Sequence, residues 1–291
     1  METRWLYVTS EEFTKLREES CDTCIIPIGC VEKHGLHLPL GTDILHSSHV
    51  AWMASQIETA CVFPDFTFGD VPGNWNSPPG TIALPVETEM LLLEQLCEQI
   101  ARNGFKKIIF YNGHGGNNTW LSQFLRNIEN KPHDYVAVKV FMTGRVLPML
   151  GEKLLEDGLE TLPELEKEDA DLILKYYQGD FWEGGHANFA ETAYMMGQYP
   201  ETVKTDRLGI VSGKNLDFGK KYKEAGIEIR DGGWDISYPN GISGDDPIGC
   251  NERIGKAALR LEAERLAKAI KVMKEDTDLI KNHNLRWETN I

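Results

Sequence analysis

No apolar run in this chain comes near the ~20 consecutive residues that a bilayer-spanning helix requires. The opening METRWLYVTSEEF has neither the basic start nor the apolar stretch of a secretory leader, so the expected location is the cytoplasm. Positive charge is scarce as well: 30 Lys and Arg stand against 45 Asp and Glu, a formal net charge of −15. That balance argues against nucleic acid or an anionic membrane as partner, because both call for clustered basic side chains. The six cysteines do not form a disulfide framework. Cys21 and Cys24 make one CxxC with no second pair to complete a structural zinc site, and it precedes a strand rather than opening a helix. Cys24, Cys61 and Cys97 lie in apolar contexts that suit small buried thiols. No repeat, low-complexity tract or Pro/Ser-rich linker interrupts the chain, so residues 1–291 are expected to form one domain.

What is present is an alternation of strand and helix patterns. CIIPIG (24–29), ACVFPDFTFG (60–69), FKKIIFYNG (105–113) and DYVAVKVF (134–141) are apolar runs of strand length. Pro64 suits an edge or irregular place for the second of them. Apolar residues at helical spacing fill 44–60, 86–104, 117–130 and 251–275, with Thr88 a cap and Gly104 a stop for the second. This order predicts an α/β fold with a mostly parallel sheet covered by helices on both faces. The acidic stretch 151–177 is read as mixed helix and loop, either a solvated face or a cover over a site, and 205–249 as long loops.

The polar residues cluster where that fold would put a ligand. Open parallel sheets bind beyond the carboxyl ends of their strands. Glu32 and His34 follow the first strand, His114 follows the third, and Asp43 begins a helix. Glu32, His34, His37, Asp43, His46 and His49 fall within 22 residues of IGCVEKHGLHLPLGTDILHSSH, although the chain has only eight histidines. Buried carboxylates are costly unless paired, and a divalent cation resolves that cost. Carboxylates with imidazoles suit Zn²⁺, Mn²⁺ or Fe²⁺. Each piece alone has a plainer reading. ExH is a short tripeptide, GHGGN can be a turn near an anion, and Asp43 can cap a helix. A nucleotide- or anion-binding module built on that turn, or a non-catalytic protein, is the alternative. In WEGGHANFAET (182–192), His186 could be a satisfied histidine and Glu191 a first-turn acid favoured by the helix dipole.

Taken together, GCVEKHGLHLPLGTD, PPGTIALP, YNGHGGN and GGHANFAET, in that order, resemble the signature blocks of the creatininase family. The resemblance implies a three-layer α/β/α sandwich, often in a homohexamer, in which two divalent metals, Zn²⁺ and/or Mn²⁺, hydrolyse amide C–N bonds of small molecules. It implies Glu32, Asp43 and His114 as ligands of one metal, and His34 with bridging Asp43 for the other. Creatinine-hydrolysing members place a glutamate where this chain has Gly116, so Glu191 is the implied last ligand, and creatinine itself is in doubt as substrate. His186 matches the family's catalytic histidine, with Glu191 beside it. Trp182 matches a tryptophan that covers the substrate, though a core or surface role is the plain reading. Gly115 and Gly116 are the implied close-approach residues. The implied chemistry is attack on an amide carbonyl by a hydroxide shared between the metals. His37 is expected to support this shell, His46 and His49 to be supporting or structural, and Cys30 to be packing.

Overall fold

The computed structural model describes residues 1–71, 78–141, 146–178, 185–229, 234–244 and 246–288. In chain order its elements are α1 (Ser10–Glu19), β1 (Thr23–Ile28), α2 (Thr42–Ile57), β2 (Cys61–Val62), α3 (Val86–Arg102), β3 (Lys107–Asn112), α4 (Asn117–Ile128) and β4 (Val136–Phe141). There follow α5 (Val146–Asp157), α6 (Lys167–Tyr177), α7 (Phe189–Gln198), α8 (Lys220–Glu224), α9 (Trp234–Ser237), α10 (Glu252–Glu275) and α11 (Asp278–Glu288). The four strands pair in parallel in the order β2-β1-β3-β4.

Every residue of β1 is buried, which is why TCIIPI reads as a continuous apolar run rather than an alternation. Successive side chains still enter opposite layers. Ile25 joins Ile109 and Tyr111 in a core closed by α2, α5, α6, α7 and α10. Cys24, Ile26 and Ile28 join Ile108 and Phe110 in a second core closed by α1, α3 and α4. The expected three-layer α/β/α sandwich with a parallel sheet is therefore what the chain forms. α7 and α10 cross closely, since a Cβ on Gly255 would lie 1.9 Å from the Ala193 carbonyl oxygen. That contact fixes α7, and with it Glu191, against the body of the fold.

Three details differ from the sequence expectation. β2 is two residues long rather than the whole of 60–69, because Pro64 has no N–H for the ladder. Beyond it the segment follows β1 through separate hydrogen bonds, Phe63 N to Ile25 O at 2.8 Å and Phe66 N to Pro27 O at 2.9 Å. α3 starts directly after Pro85, so Thr88 lies inside its first turn and caps nothing, while Gly104 at φ 98° does end it. The acidic stretch 151–177 is neither a cover over the site nor simply a solvated face. Leu154, Leu162, Leu165 and Ile173 are buried, and Glu164 and Asp169 pair with Arg260 and Arg253 of α10, both at 2.6 Å.

Candidate metal centre

β1 and β3 lie side by side and end together, Ile28 opposite Asn112, so the loops that follow them share one edge of the sheet. Cys30, Glu32 and His34 come from the first loop and His114 from the second. Asp43 stands in the first turn of α2 and Glu191 in the first turn of α7. The Asp43 carboxylate is the meeting point: Oδ1 lies 3.1 Å from His34 Nε2, and Oδ2 lies 2.7 Å from His114 Nδ1. His34 Nε2 is 3.5 Å from Glu191 Oε2, and His114 Nδ1 is 3.2 Å from Glu32 Oε1. Two donor sets share Asp43: Cys30, Glu32, Asp43 and His114 in one, His34, Asp43 and Glu191 in the other, each with its ligand atoms within 4.8 Å of one another.

The imidazoles are oriented from behind. His34 Nδ1 faces the Glu32 carbonyl at 3.2 Å, and His114 Nε2 faces the Asp70 carbonyl at 3.0 Å. A ring N–H donated to a carbonyl points the other nitrogen into the cluster, the arrangement that fixes metal-binding histidines. His186 follows the same pattern, with Nε2 2.7 Å from the Lys33 carbonyl and Nδ1 3.5 Å from Glu32 Oε1. Its backbone pairs reciprocally with Ser243, and its ring lies 4.1 Å from that of His34.

Without a cation the cluster balances its own charge. Burial opposes ionisation of Asp43, yet His34 and His114 outweigh it and hold the carboxyl well below its usual range. Glu32 is likewise resisted by burial but pulled to about 2 by His114 and His186. Burial would lower His34, but Asp43, Glu191 and Glu32 raise it to about 10. His114 is raised too, burial again being outweighed, by Cys30, Glu32 and Asp43. Glu191 moves up because burial exceeds the pull of His34 and His186. Oε1 of Glu32 accepts no hydrogen bond although the residue is only 8% exposed. Inward imidazole nitrogens, ionised carboxylates and this orphaned oxygen are the donor set a divalent cation needs. The same carboxylates would repel a phosphate held by the GHGGN turn.

His37 contacts Thr192 Oγ1 at 2.9 Å, bracing the residue after Glu191. Gly115 is exposed and open, whereas a Cβ on Gly116 would lie 2.5 Å from the Asp70 carbonyl oxygen and 2.6 Å from His114 Nε2. Trp182 lies outside the described residues. His46 and His49 lie along α2, and the His46 ring stacks on that of Tyr194. Sequence reasoning overlooked Trp234, whose ring meets His186 edge-on at 5.0 Å and also lines a cavity of about 670 Å³ with Tyr238, Lys220 and Lys223. It also overlooked Glu89, fully buried with neither carboxylate oxygen hydrogen-bonded. Burial, reinforced by Asp70, raises Glu89 to about 8.

The chain is 23% identical to a creatinine amidohydrolase of Pseudomonas putida over 190 residues, 63% of this chain and 67% of that protein. It is 24% identical to a 3-dehydro-scyllo-inosose hydrolase of Thermotoga maritima over 288 residues, 91% of this chain and 83% of that one. Its fold matches a crystal structure of creatininase with a TM-score of 0.69 at 20% identity, covering 94% of this chain and 99% of that chain. Zinc and manganese forms of creatininase share the fold as well, with TM-scores of 0.70 and 0.63. Residues 7–270 match the family model for creatininase, creatinine amidohydrolase, and the chain belongs to the creatininase family.

Proposed function

We propose that this chain is a metal-dependent amidohydrolase cleaving a cyclic or linear amide C–N bond of a small molecule. Glu32, Asp43 and His114 would hold one divalent ion, and His34, Asp43 and Glu191 the other. The observation that carries the reading is Asp43, which turns one oxygen to each of two inward-facing imidazoles. Ions bound there supply an activated water at neutral pH and a Lewis acid for a carbonyl oxygen. Zinc and manganese both suit these donors, and iron(II) is compatible with them.

The protein's own part is positioning and proton transfer. His186 keeps Nε2 on the Lys33 carbonyl, so Nδ1 is the nitrogen that can take a proton and return it to a leaving amide nitrogen. Trp234 limits the movement of that ring from its edge. The cavity beside Trp234 gives room for the rest of a substrate, and Trp182 is the family's candidate cover. Gly116, in place of the glutamate of creatinine-hydrolysing members, supports an amide other than creatinine. A homo-oligomer, a hexamer by family resemblance, belongs to the same reading. Large apolar side chains exposed along 205–249, among them Ile210 at 63% and Leu216 at 63%, support it.

Metal analysis of the purified protein is the direct test: near two equivalents per chain is expected, and none would end the proposal. Turnover of creatinine, formamides and lactams with zinc or manganese supplied then identifies the amide. No hydrolysis of any of them by protein holding both ions would remove the amidohydrolase reading.

A further inference from the structure

Cys30 is left idle by the proposed function, yet it is placed among the ligands. It follows β1 directly, is 0% exposed, and its thiol donates to Asp43 Oδ2 at 3.1 Å. That oxygen is the one 2.7 Å from His114 Nδ1, and the same nitrogen is 3.2 Å from Glu32 Oε1. Sulfur, two carboxylate oxygens and an imidazole nitrogen therefore surround one point, all within 4.8 Å of one another. Bonds of about 2.0 Å to N and O and about 2.3 Å to S set neighbouring donors of a tetrahedral ion about 3.3–3.6 Å apart. Three of the separations, 2.7, 3.1 and 3.2 Å, are slightly shorter than that. Glu32 Oε1, with no hydrogen bond and little exposure, is an independent sign that this set is incomplete as a hydrogen-bonded network.

We propose that Cys30 is a fourth protein ligand, a thiolate, to the ion held by Glu32, Asp43 and His114, and that it makes this site prefer zinc to manganese. The inference rests on the two-ion reading above. When the sulfur–metal bond forms, the thiol proton leaves to solvent and no oxidation is involved. Thiolate is a soft donor that suits zinc and cobalt, whereas manganese favours oxygen donors. The other donor set, His34, Asp43 and Glu191, contains no sulfur. The two sites thus differ in kind: one selective, one permissive. The competing role for Cys30 is a permanently protonated thiol that only steadies Asp43.

Cobalt(II) separates these roles without reference to turnover. The stripped protein is loaded with Co²⁺, its cobalt content measured, and its near-ultraviolet absorption recorded for the wild type and Cys30→Ser. The expected result is a thiolate-to-cobalt charge-transfer band in the wild type that disappears in the variant at equal cobalt content. Zinc affinity should fall at least about 10-fold in the variant while manganese affinity stays within about twofold. A wild type that binds two cobalt ions without the band, or a band that survives in Cys30→Ser, overturns the proposal and leaves the two-ion reading standing. A protein that binds no cobalt overturns both. Should Cys30→Ser not fold, Cys21→Ser decides instead: the band should persist once the exposed cysteine is removed, and its loss there overturns the proposal. Cys24, Cys61 and Cys97 are locked in the hydrophobic core and Cys250 lies against Met196.

Discussion

His46 lies flat on Tyr194, ring centroids 3.7 Å apart and planes 27° from parallel. Each stands three residues after a proposed ligand, Asp43 and Glu191, so the stack joins the first turn of α2 to that of α7. Both rings meet Glu262 of α10. Tyr194 Oη donates to its Oε2 at 2.5 Å, and His46 Nε2 is 3.5 Å from the same oxygen. Tyr111, three residues before His114, completes the group: burial and then the Glu262 charge hold its phenol well above the usual range. One carboxylate thus sits beneath the three elements that carry Asp43, Glu191 and His114.

Replacing that carboxylate should loosen the metal site from below. Glu262→Leu removes the oxygen to which the buried Tyr194 hydroxyl donates, at about 1–3 kcal/mol. Metal affinity should fall about 10–100-fold, the usual effect of losing support behind ligands. Glu262→Gln keeps an acceptor and should retain most of both. Calorimetric melts and metal titrations check this. Reduced stability with unchanged metal affinity would show that Glu262 only packs the core.

The cluster's charges predict opposite pH behaviour for the stripped and loaded protein. His34, raised from 6.5 to about 10, favours folding in its protonated form, so its contribution is complete below 6.5 and lost as pH rises through about 10. Glu32, lowered from 4.5 to about 2, contributes fully above 4.5 and loses that contribution as pH falls through about 2. Both are fully present only between about pH 4.5 and 6.5. The stripped protein should therefore melt progressively lower from neutral pH toward about 10, as far as His34 governs it. Metal binding must expel the proton from His34, so affinity should rise over the same range, about tenfold per pH unit for each proton displaced. Titrations in buffers of different ionisation enthalpy count those protons. An affinity that does not change with pH would contradict the assignment of His34 as a ligand.

His186 and Glu191 lie five residues apart in the chain and should fail in different ways. His186→Ala should lower turnover about 10²–10⁴-fold, the range for a lost acid–base group, while both ions remain. Glu191→Gln should instead release one of the two ions, because Oε2 is the group nearest His34 Nε2 from that side, at 3.5 Å. Metal content of the two variants, measured beside their activity, separates proton carrier from ligand. Loss of metal from His186→Ala would reverse the assignment.

Much of this arrangement is legible in the chain because the strands end where the polar clusters begin. CIIPIG and FKKIIFYNG announce two parallel strands, and the residues after them must share an edge. Asp43 and Glu191 are legible as first-turn acids. Trp234 is not, since its ring contact with His186 joins segments distant in the chain and leaves no local signature. Glu262 does leave a trace: Ile254, Ala258, Glu262 and Leu266 follow one buried stripe of α10, and a lone acid on such a stripe needs a partner. Glu89 leaves the same trace on α3, in line with Leu93, Cys97 and Ile100. β2 is shorter than its apolar pattern because proline overrides side-chain patterning at an edge.

Restoring the missing glutamate at position 116 should not create a creatinine-type site. The backbone there is packed so closely that any Cβ would meet the Asp70 carbonyl oxygen at 2.5 Å and His114 Nε2 at 2.6 Å. The Asp70 carbonyl is also the group that orients His114, so moving it disturbs the ligand the new side chain was meant to assist. Overpacking of this kind costs about 1–3 kcal/mol. Gly116→Glu should therefore lower the melting temperature, reduce metal content and add no creatinine hydrolysis. Gly115→Ala, at a position with nothing within 4 Å of a Cβ, is the matched control and should leave stability and metal content close to wild type. If Gly116→Glu holds two ions at wild-type stability, the Asp70–Gly116 contact is softer than described, and Glu191 is not needed as the replacement ligand.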